Sequence, residues 1–257
     1  MWPFLDFAGL HFPTYNLTLA VGILVGLGIL FFSARRNRVA LRFLADNFLI
    51  LFVITIVFAR LVEVWLNDYP FTSIPFFWQE NGGFSFYGGM IGFLLALWWL
   101  CRKYSESFLT WLDLLTLSAT SVLIFHHVGA FFSGAAYGIP TVLPWGITFT
   151  NPEAAVLTTL PIHPIQLYAA ILTALFFAIG IYISNKTRVA GKVGIFLMLT
   201  LSISYFFLGF LRGDSAPMFG ILRANQYFSL AFITLSASLV YKMKYEKHSA
   251  RNNELNI

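Results

Sequence analysis

Long apolar stretches, broken by short polar ones, run the length of the chain. A helix that crosses a membrane needs roughly 20 mostly apolar residues. Seven stretches meet that need: 15–34, 47–66, 84–101, 109–132, 164–184, 192–211 and 226–241. The third is short and glycine-rich at its start, and the fourth is expected to break near Gly129. Residues 133–164 form the longest connection and hold Gly134, Gly138, Pro140, Pro144, Trp145, Gly146, Pro152 and Pro161. A connection that long is functional or disordered. Its aromatic and apolar content predicts an ordered outer loop, 133–163, resting on the membrane interface. The pattern therefore predicts one polytopic membrane domain over 1–245, with 246–257 as a cytoplasmic tail. No internal repeat or low-complexity tract interrupts it.

Composition removes the soluble alternative. Hydrophobic residues make up 58% of the chain and charged ones 11%, against about 25% charged in soluble domains. Such a chain cannot cover a water-facing surface. The single cysteine, Cys101, excludes an intramolecular disulfide framework. It ends an apolar run beside Arg102 and Lys103, which points to a structural role. The opening MWPFLDFAGLHFP has no basic segment ahead of an apolar one, so no cleavable signal peptide is expected.

The net charge of +5 raises the question of nucleic acid until the charges are located. They sit in short loops between apolar spans, where membrane orientation explains them and no nucleic-acid partner is implied. Arg35, Arg36, Arg38 and Arg42 follow the first span, Arg102 and Lys103 the third, and Lys186, Arg188 and Lys192 the fifth. Lys242, Lys244, Lys247 and Arg251 follow the seventh. The N-terminus, the second–third connection and the long fourth–fifth connection carry none. By the positive-inside rule the N-terminus lies outside and the C-terminus in the cytoplasm. Thirteen of the sixteen basic residues obey this arrangement. Arg60, Arg212 and Arg223 do not, and a charge within or against a span marks a functional site by default.

Placed on these spans, the embedded polar residues gather towards the outer leaflet. Arg60 and Glu63 share a face of the second helix. Tyr87 stands beside Gly88 and Gly89 at the outer end of the third. His126 and His127 lie in the upper part of the fourth, His163 and Gln166 at the mouth of the fifth, and Tyr205 in the outer half of the sixth. Arg212 and Asp214 follow it. Plainer roles exist for each: an Arg60–Glu63 ion pair locking helices, histidines as packing residues, His163 as a helix cap, and outer arginines reaching headgroups unspecifically. Adjacent helix positions point about 100° apart, so His126 and His127 cannot both face one small substrate. Three arginines against the orientation rule favour phosphate, which arginine binds through a planar fork. The chain has no Walker loop, no dinucleotide glycine pattern, no metal-ligand spacing and no nucleophile-elbow serine. No metal or other cofactor is expected.

At these residues the chain resembles the prolipoprotein diacylglyceryl transferase family. SFYGGMIG (85–92) resembles Ser-Phe-His-Gly-Gly-Leu-Ile-Gly. HHVGAFFSGAAYG (126–138) resembles the family signature Gly-Arg-Ile-Gly-Asn-Phe-Ile-Asn-Gly-Glu-x-Tyr/Trp-Gly, with PTVLPWGITF after it. HPIQLYAAIL (163–172), FLRGDSA (210–216) and NQYFSL (225–230) continue the match in order, and ARLVEVW (59–65) adds a weaker one. The resemblance implies seven spans and a prokaryotic inner-membrane location, with a multi-pass chain whose site faces the outer leaflet. It implies transfer of diacylglycerol from phosphatidylglycerol to the lipobox cysteine of a pre-lipoprotein signal peptide. That chemistry needs a base for the thiol and cations for the departing phosphate.

Tyr15, Arg60, Gly88, Gly89, Gly129, Gly134, Tyr137, Gly138, His163, Gln166, Tyr168, Arg212, Asp214 and Gln226 match the family pattern. Elsewhere the chain departs from it. Tyr87 replaces the histidine before Gly-Gly, and His127 the signature arginine. Ala130 stands for asparagine, Ala135 and Ala169 for glutamates, and Tyr205 and Gly209 for an arginine and a glutamate. Two expectations follow. In the first the chain is a divergent transferase: His127 or His126 is the base, with Tyr87 beside them in the catalytic set. Arg60, Arg212, Arg223, Gly88, Gly89 and Tyr15 bind phospholipid, and His163, Gln166, Tyr137, Asp214 and Gln226 complete the polar site. In the second it keeps the lipid cavity without catalysis and binds lipid or lipoprotein.

Overall fold

The computed structural model describes residues 2–7, 10–67, 83–215, 217–218 and 220–255, with backbone alone at Phe7, Leu10 and beyond Tyr245. The connection 68–82, expected to be an outer loop without basic residues, lies outside the described residues, as do Ala216 and the side chains of Lys247 and Arg251. The protein is an all-α membrane protein with one small hairpin. In chain order the elements are β1 (Phe4–Phe7), β2 (Leu10–Pro13), α1 (Thr14–Asn37), α2 (Arg42–Asp46), α3 (Phe48–Leu66) and α4 (Phe86–Lys103). Then follow α5 (Phe108–Ser133), α6 (Ile165–Lys186), α7 (Lys192–Leu208) with a 3-10 turn over Gly209–Leu211, and α8 (Ala224–Leu255). Among the described residues, five helices are long and apolar enough to cross a membrane: α1, α3, α5, α6, and α7 with its 3-10 turn. Large apolar side chains on them stay uncovered, Leu24 at 70% exposure and Ile171 at 67%. That is the surface of a protein solvated by lipid, since a water-soluble chain rarely leaves wide apolar patches bare.

The chain divides into two compact units, residues 1–33 with 112–257, and residues 34–111. In the first, α1 and α5 approach through small residues. A Cβ on Gly22 would lie 2.7 Å from that of Phe125, and one on Gly26 2.6 Å from Val122. Gly129 presses on Thr18 and Tyr15. Without a hydrophobic drive between helices in lipid, such close backbone approach supplies the packing energy. The expected break near Gly129 does not occur: α5 runs unbroken to Ser133. This glycine serves contact with α1 rather than a kink. Ser118 Oγ donates to the Gly26 carbonyl at 2.7 Å and ties the same pair of helices. Leu117, Val193 and Leu197 form a buried core, joined by Phe176, Phe177 and Phe196.

The carboxylate of Asp113 in α5 accepts the backbone N–H groups of Gly191 (2.8 Å) and Gly194 (2.6 Å). It thereby satisfies donors at the start of α7 that have no partner within their own helix. In the second unit α3 and α4 pack closely, Gly88 and Gly92 lying against Phe58 and Val62. Ser85 caps α4, its hydroxyl accepting the Gly88 N–H at 3.3 Å.

Candidate active site

Within the first unit, polar side chains converge at the ends of four helices. Tyr15 lies in the first turn of α1, His126 and His127 in the last two turns of α5, Thr173 in the third turn of α6, and Tyr205 in the last turn of α7. Tyr15 Oη and His126 Nδ1 share a hydrogen bond of 2.9 Å, and their rings meet edge to face. His127 Nε2 and Tyr205 Oη share one of 2.7 Å. Tyr205 Oη also lies 3.4 Å from Thr173 Oγ1. The two imidazoles meet edge to face, 5.0 Å between centroids. The angular offset of neighbouring helix positions sends them to different helices, His126 to α1 and His127 to α7.

The segment after α7 brings Arg212 within electrostatic reach of both imidazoles. Asp214 holds it through a fork, Nε to Oδ1 at 2.8 Å and Nη2 to Oδ2. The loop 133–164 fixes this segment by backbone pairing. Ile139 N–H donates to the Leu211 carbonyl and Gly213 N–H to the Tyr137 carbonyl, both at 2.9 Å. Gly138 is pressed against the His163 backbone, where a Cβ would not fit. His163 Nδ1 lies 3.3 Å from Tyr168 Oη, which accepts the Trp145 indole N–H at 2.7 Å. His163 precedes the α6 start without capping it: the N-cap position is Pro164. Gln166 is buried and donates to the Ala135 carbonyl at 2.6 Å.

Arg223 is a tie within its loop. Its Nε donates to the Ser215 carbonyl and its Nη1 to the Gly209 carbonyl, each at 2.8 Å. Gln226, fully buried, accepts the Arg223 backbone N–H at 2.9 Å and donates to the Phe206 carbonyl at 3.1 Å.

In the second unit, Arg60 is buried at 1% exposure on α3, and its Nη1 donates to the Gly83 carbonyl at 3.0 Å. Glu63 accepts the Asn67 amide at 2.9 Å. Tyr87 follows Phe86 in the first turn of α4, its ring edge-to-face with that of Phe86. Gly88 and Gly89 face α3, with Phe58, Val62, Ala59 and Thr55 as neighbours.

Sequence reasoning did not single out Thr173, and met Trp145 only as one residue of the long loop. A hydroxyl in the middle of an apolar run is the only trace Thr173 leaves, and most such hydroxyls bond their own helix. Among the described residues no group of three or more His, Cys, Asp or Glu side chains is placed to hold a metal ion.

Taken together, this end of the first unit offers two imidazoles for proton transfer, two phenol hydroxyls that orient them, and a guanidinium suited to an anion. The sequence profile described as "Prolipoprotein diacylglyceryl transferase" matches residues 4–242. The phosphatidylglycerol–prolipoprotein diacylglyceryl transferase of Finegoldia magna is 26% identical over 249 residues, 96% of this chain and 96% of its own length. The protein of the same name from Gloeobacter violaceus is 32% identical over 234 residues, covering 87% of this chain and 85% of its own. That of Clostridium tetani is 26% identical over 228 residues, 88% and 91% of the two chains.

Proposed function

The chain belongs to the prolipoprotein diacylglyceryl transferase family, and from that premise we propose how its residues carry the transfer. The donor is phosphatidylglycerol and the acceptor the cysteine thiol of a pre-lipoprotein signal peptide, in a bacterial plasma membrane. The thiol proton passes to an imidazole. The thiolate sulfur then bonds the phosphate-bearing carbon of the diacylglycerol moiety. That carbon–oxygen bond breaks, and its electron pair leaves with glycerol phosphate.

His127 is the base, with His126 as the neighbouring imidazole. Arg212, oriented by Asp214, meets the charge that grows on the leaving phosphate. In the other unit Arg60 is a further phospholipid-binding cation and Tyr87 a candidate catalytic hydroxyl. Gly88 and Gly89 there, and Tyr15 in the first unit, are further phospholipid-binding positions. Arg223, His163, Gln166, Tyr137 and Gln226 support the first unit's site through the loop and helix ends they tie together. The observation that carries this assignment is the pair of adjacent imidazoles, each bonded to a tyrosine hydroxyl, within electrostatic reach of Arg212.

In this reading α4 and α8 cross the membrane as well, which makes seven spans. The N-terminus and the loop 133–164 lie outside, and the site faces the outer leaflet. The distribution of lysine and arginine supports that orientation.

The test is transfer from phosphatidylglycerol to a labelled lipobox peptide by the purified protein in detergent. His127→Gln and Arg212→Ala are expected to lower the rate on the order of 100-fold, the usual contribution of a general base or a charge-stabilising donor. Full activity in His127→Gln would exclude it as the base and leave His126, tested by the same substitution. No transfer by the wild type beside an active control enzyme would sink the assignment for this donor and acceptor.

A further inference from the structure

The last turn of α4 carries charge that the transfer does not use. Arg102 and Lys103 are exposed there, and each lies over an aromatic ring one turn earlier on the same helix. The Arg102 guanidinium carbon is 5.2 Å from the ring centroid of Trp98, and Lys103 Nζ is 5.2 Å from that of Trp99. Lys103 Nζ also lies 5.2 Å from the ring of Tyr104, which follows the helix. Among the described residues, neither cation forms an ion pair with a carboxylate. Arg42 of α2, whose neighbour Phe43 meets Tyr104 edge to face, differs: Asp46 holds it at 3.2 Å. Glu106, on the connection after α4, accepts the Trp111 indole N–H at 3.3 Å.

The helix also sorts its exposed side chains by depth. Leu95, Trp98, Trp99 and Arg102 stand at i, i+3, i+4 and i+7, which is one stripe of a helix. All four are exposed, while Ala96, Leu97 and Leu100 are buried on the other side. The stripe passes from an aliphatic side chain to two indoles and then to a cation. Four residues of rise, about 6 Å, separate the indoles from the cations. The polar zone on each side of a bilayer's hydrocarbon core is of similar depth, roughly 5–7 Å, and indoles gather at its inner edge.

We propose that this end of α4 binds an anionic phospholipid of the leaflet it faces, with Arg102 and Lys103 on the phosphate and Trp98 and Trp99 beside the glycerol backbone. The site goes beyond the transfer reading. Gly88 and Arg102 both lie on α4, about 21 Å apart along its axis, so the lipid held here is not a donor placed at the other end of that helix.

A cation over an aromatic face is attracted by the negative face of the ring, so both head groups are positioned before a lipid arrives. Their other side stays open. The guanidinium offers a planar fork to two phosphate oxygens, and the ammonium adds a compact second charge. A zwitterionic lipid would bring its own ammonium towards these two cations, so a headgroup of net negative charge is favoured. Basic residues near a membrane surface also attract anionic lipid diffusely, and long side chains reach for headgroups without selecting one. Diffuse attraction depends on the number of charges alone. A built site depends also on the rings that hold them.

The test counts lipids retained by the full-length protein, released from nanodiscs of equimolar phosphatidic acid and phosphatidylcholine and weighed by native mass spectrometry. All variants carry Arg212→Ala, which removes the guanidinium of the transfer site. The parent is expected to retain phosphatidic acid in preference to phosphatidylcholine. Arg102→Gln with Lys103→Gln should lower that retention about tenfold, since each cation near a charged surface contributes roughly fivefold. Trp98→Leu with Trp99→Leu keeps both charges and the apolar surface, and should lower it about threefold. Lys242→Gln with Lys244→Gln removes the same charge from α8 and should leave it unchanged. An equal fall in the α8 variant would make the attraction diffuse and overturn the site. So would a parent without preference, or a tryptophan variant that retains as much as the parent. The count needs no turnover, so a protein that transfers nothing overturns the assignment of the reaction and leaves this site to be judged on its lipid.

Discussion

Asp214 grips Arg212 at both Nε and Nη2, so the guanidinium plane is set before any anion arrives. Both side chains are mostly covered, at 29% and 18% exposure, and a fork of this geometry is worth more for direction than for stability. Asp214→Asn should therefore leave the melting temperature nearly unchanged while transfer falls about tenfold, the order of loss expected when a charge-stabilising group is misplaced by a fraction of an ångström. A loss of stability without loss of rate would make the pair a structural latch instead. A second residue-scale expectation lies outside the membrane-spanning segments, in the hairpin. His11 Nδ1 bonds Asp6 Oδ1 at 2.6 Å and stacks on Phe4. That hydrogen bond holds the imidazole above its ordinary value of 6.5, against a smaller opposing effect of desolvation, with Asp6 and Glu153 adding their charges. A raised value means the contact favours the hairpin fully below the ordinary histidine range and loses that effect as pH climbs through the raised one. A proton titration of His11 should give a midpoint above 6.5 in the wild type, and a lower one in Asp6→Asn.

At the scale of helices, the apolar runs translate almost directly into elements. The stretch 15–34 lies inside α1, 47–66 includes α3, 109–132 lies inside α5 and 192–211 is α7 with its 3-10 turn. Apolar length governs a membrane helix, and length is visible in one sequence. The hairpin of β1 and β2 was not legible, because four-residue strands carry too little alternation to stand out. Nor was α2, a single turn and a half between longer helices. The site was legible only as a set of polar positions. Sequence can place His127 and Tyr205 in their spans, but the 2.7 Å contact between them depends on how α5 and α7 rotate. Asp113 shows the same limit, since its role as a cap for α7 joins residues that lie far apart in the chain. Asp113→Ala removes the acceptor of two N–H groups and should cost about 1–2 kcal/mol, seen as a lower melting temperature in detergent. Gly92 tests packing in the other unit. A Cβ there would lie 2.5 Å from that of Phe58, so Gly92→Ala should destabilise by about 1–3 kcal/mol through overpacking. An unchanged melting temperature would show that α3 and α4 yield at this contact.

For the whole molecule, the side of the membrane on which the site opens follows from one structural fact and one measurement. Tyr15 begins α1, His126 and His127 end α5, Thr173 lies early in α6, and Tyr205 ends α7. These are the helix ends that lead into the hairpin, the loop 133–164 and the Arg212 segment. The opposite ends of α1 and α6 carry Arg35, Arg36 and Lys186 in their last turns, and α7 begins with Lys192. Whichever face of the membrane holds the loop 133–164 therefore holds the polar cluster too. In the proposed orientation, with lysine and arginine on the cytoplasmic side, the loop lies outside. Val142 is fully exposed on that loop, and Cys101, the only cysteine, is buried in α4. Single-cysteine labelling is consequently clean. In intact cells a membrane-impermeant thiol reagent should modify Val142→Cys, and should modify Arg188→Cys only after the membrane is opened. The reverse pattern would invert the chain and put the histidines on the cytoplasmic side, where an exported acceptor peptide no longer meets them. Equal labelling of both positions would break the seven-span arrangement, because 142 and 188 are separated by α6 alone. One crossing decides the side of the site.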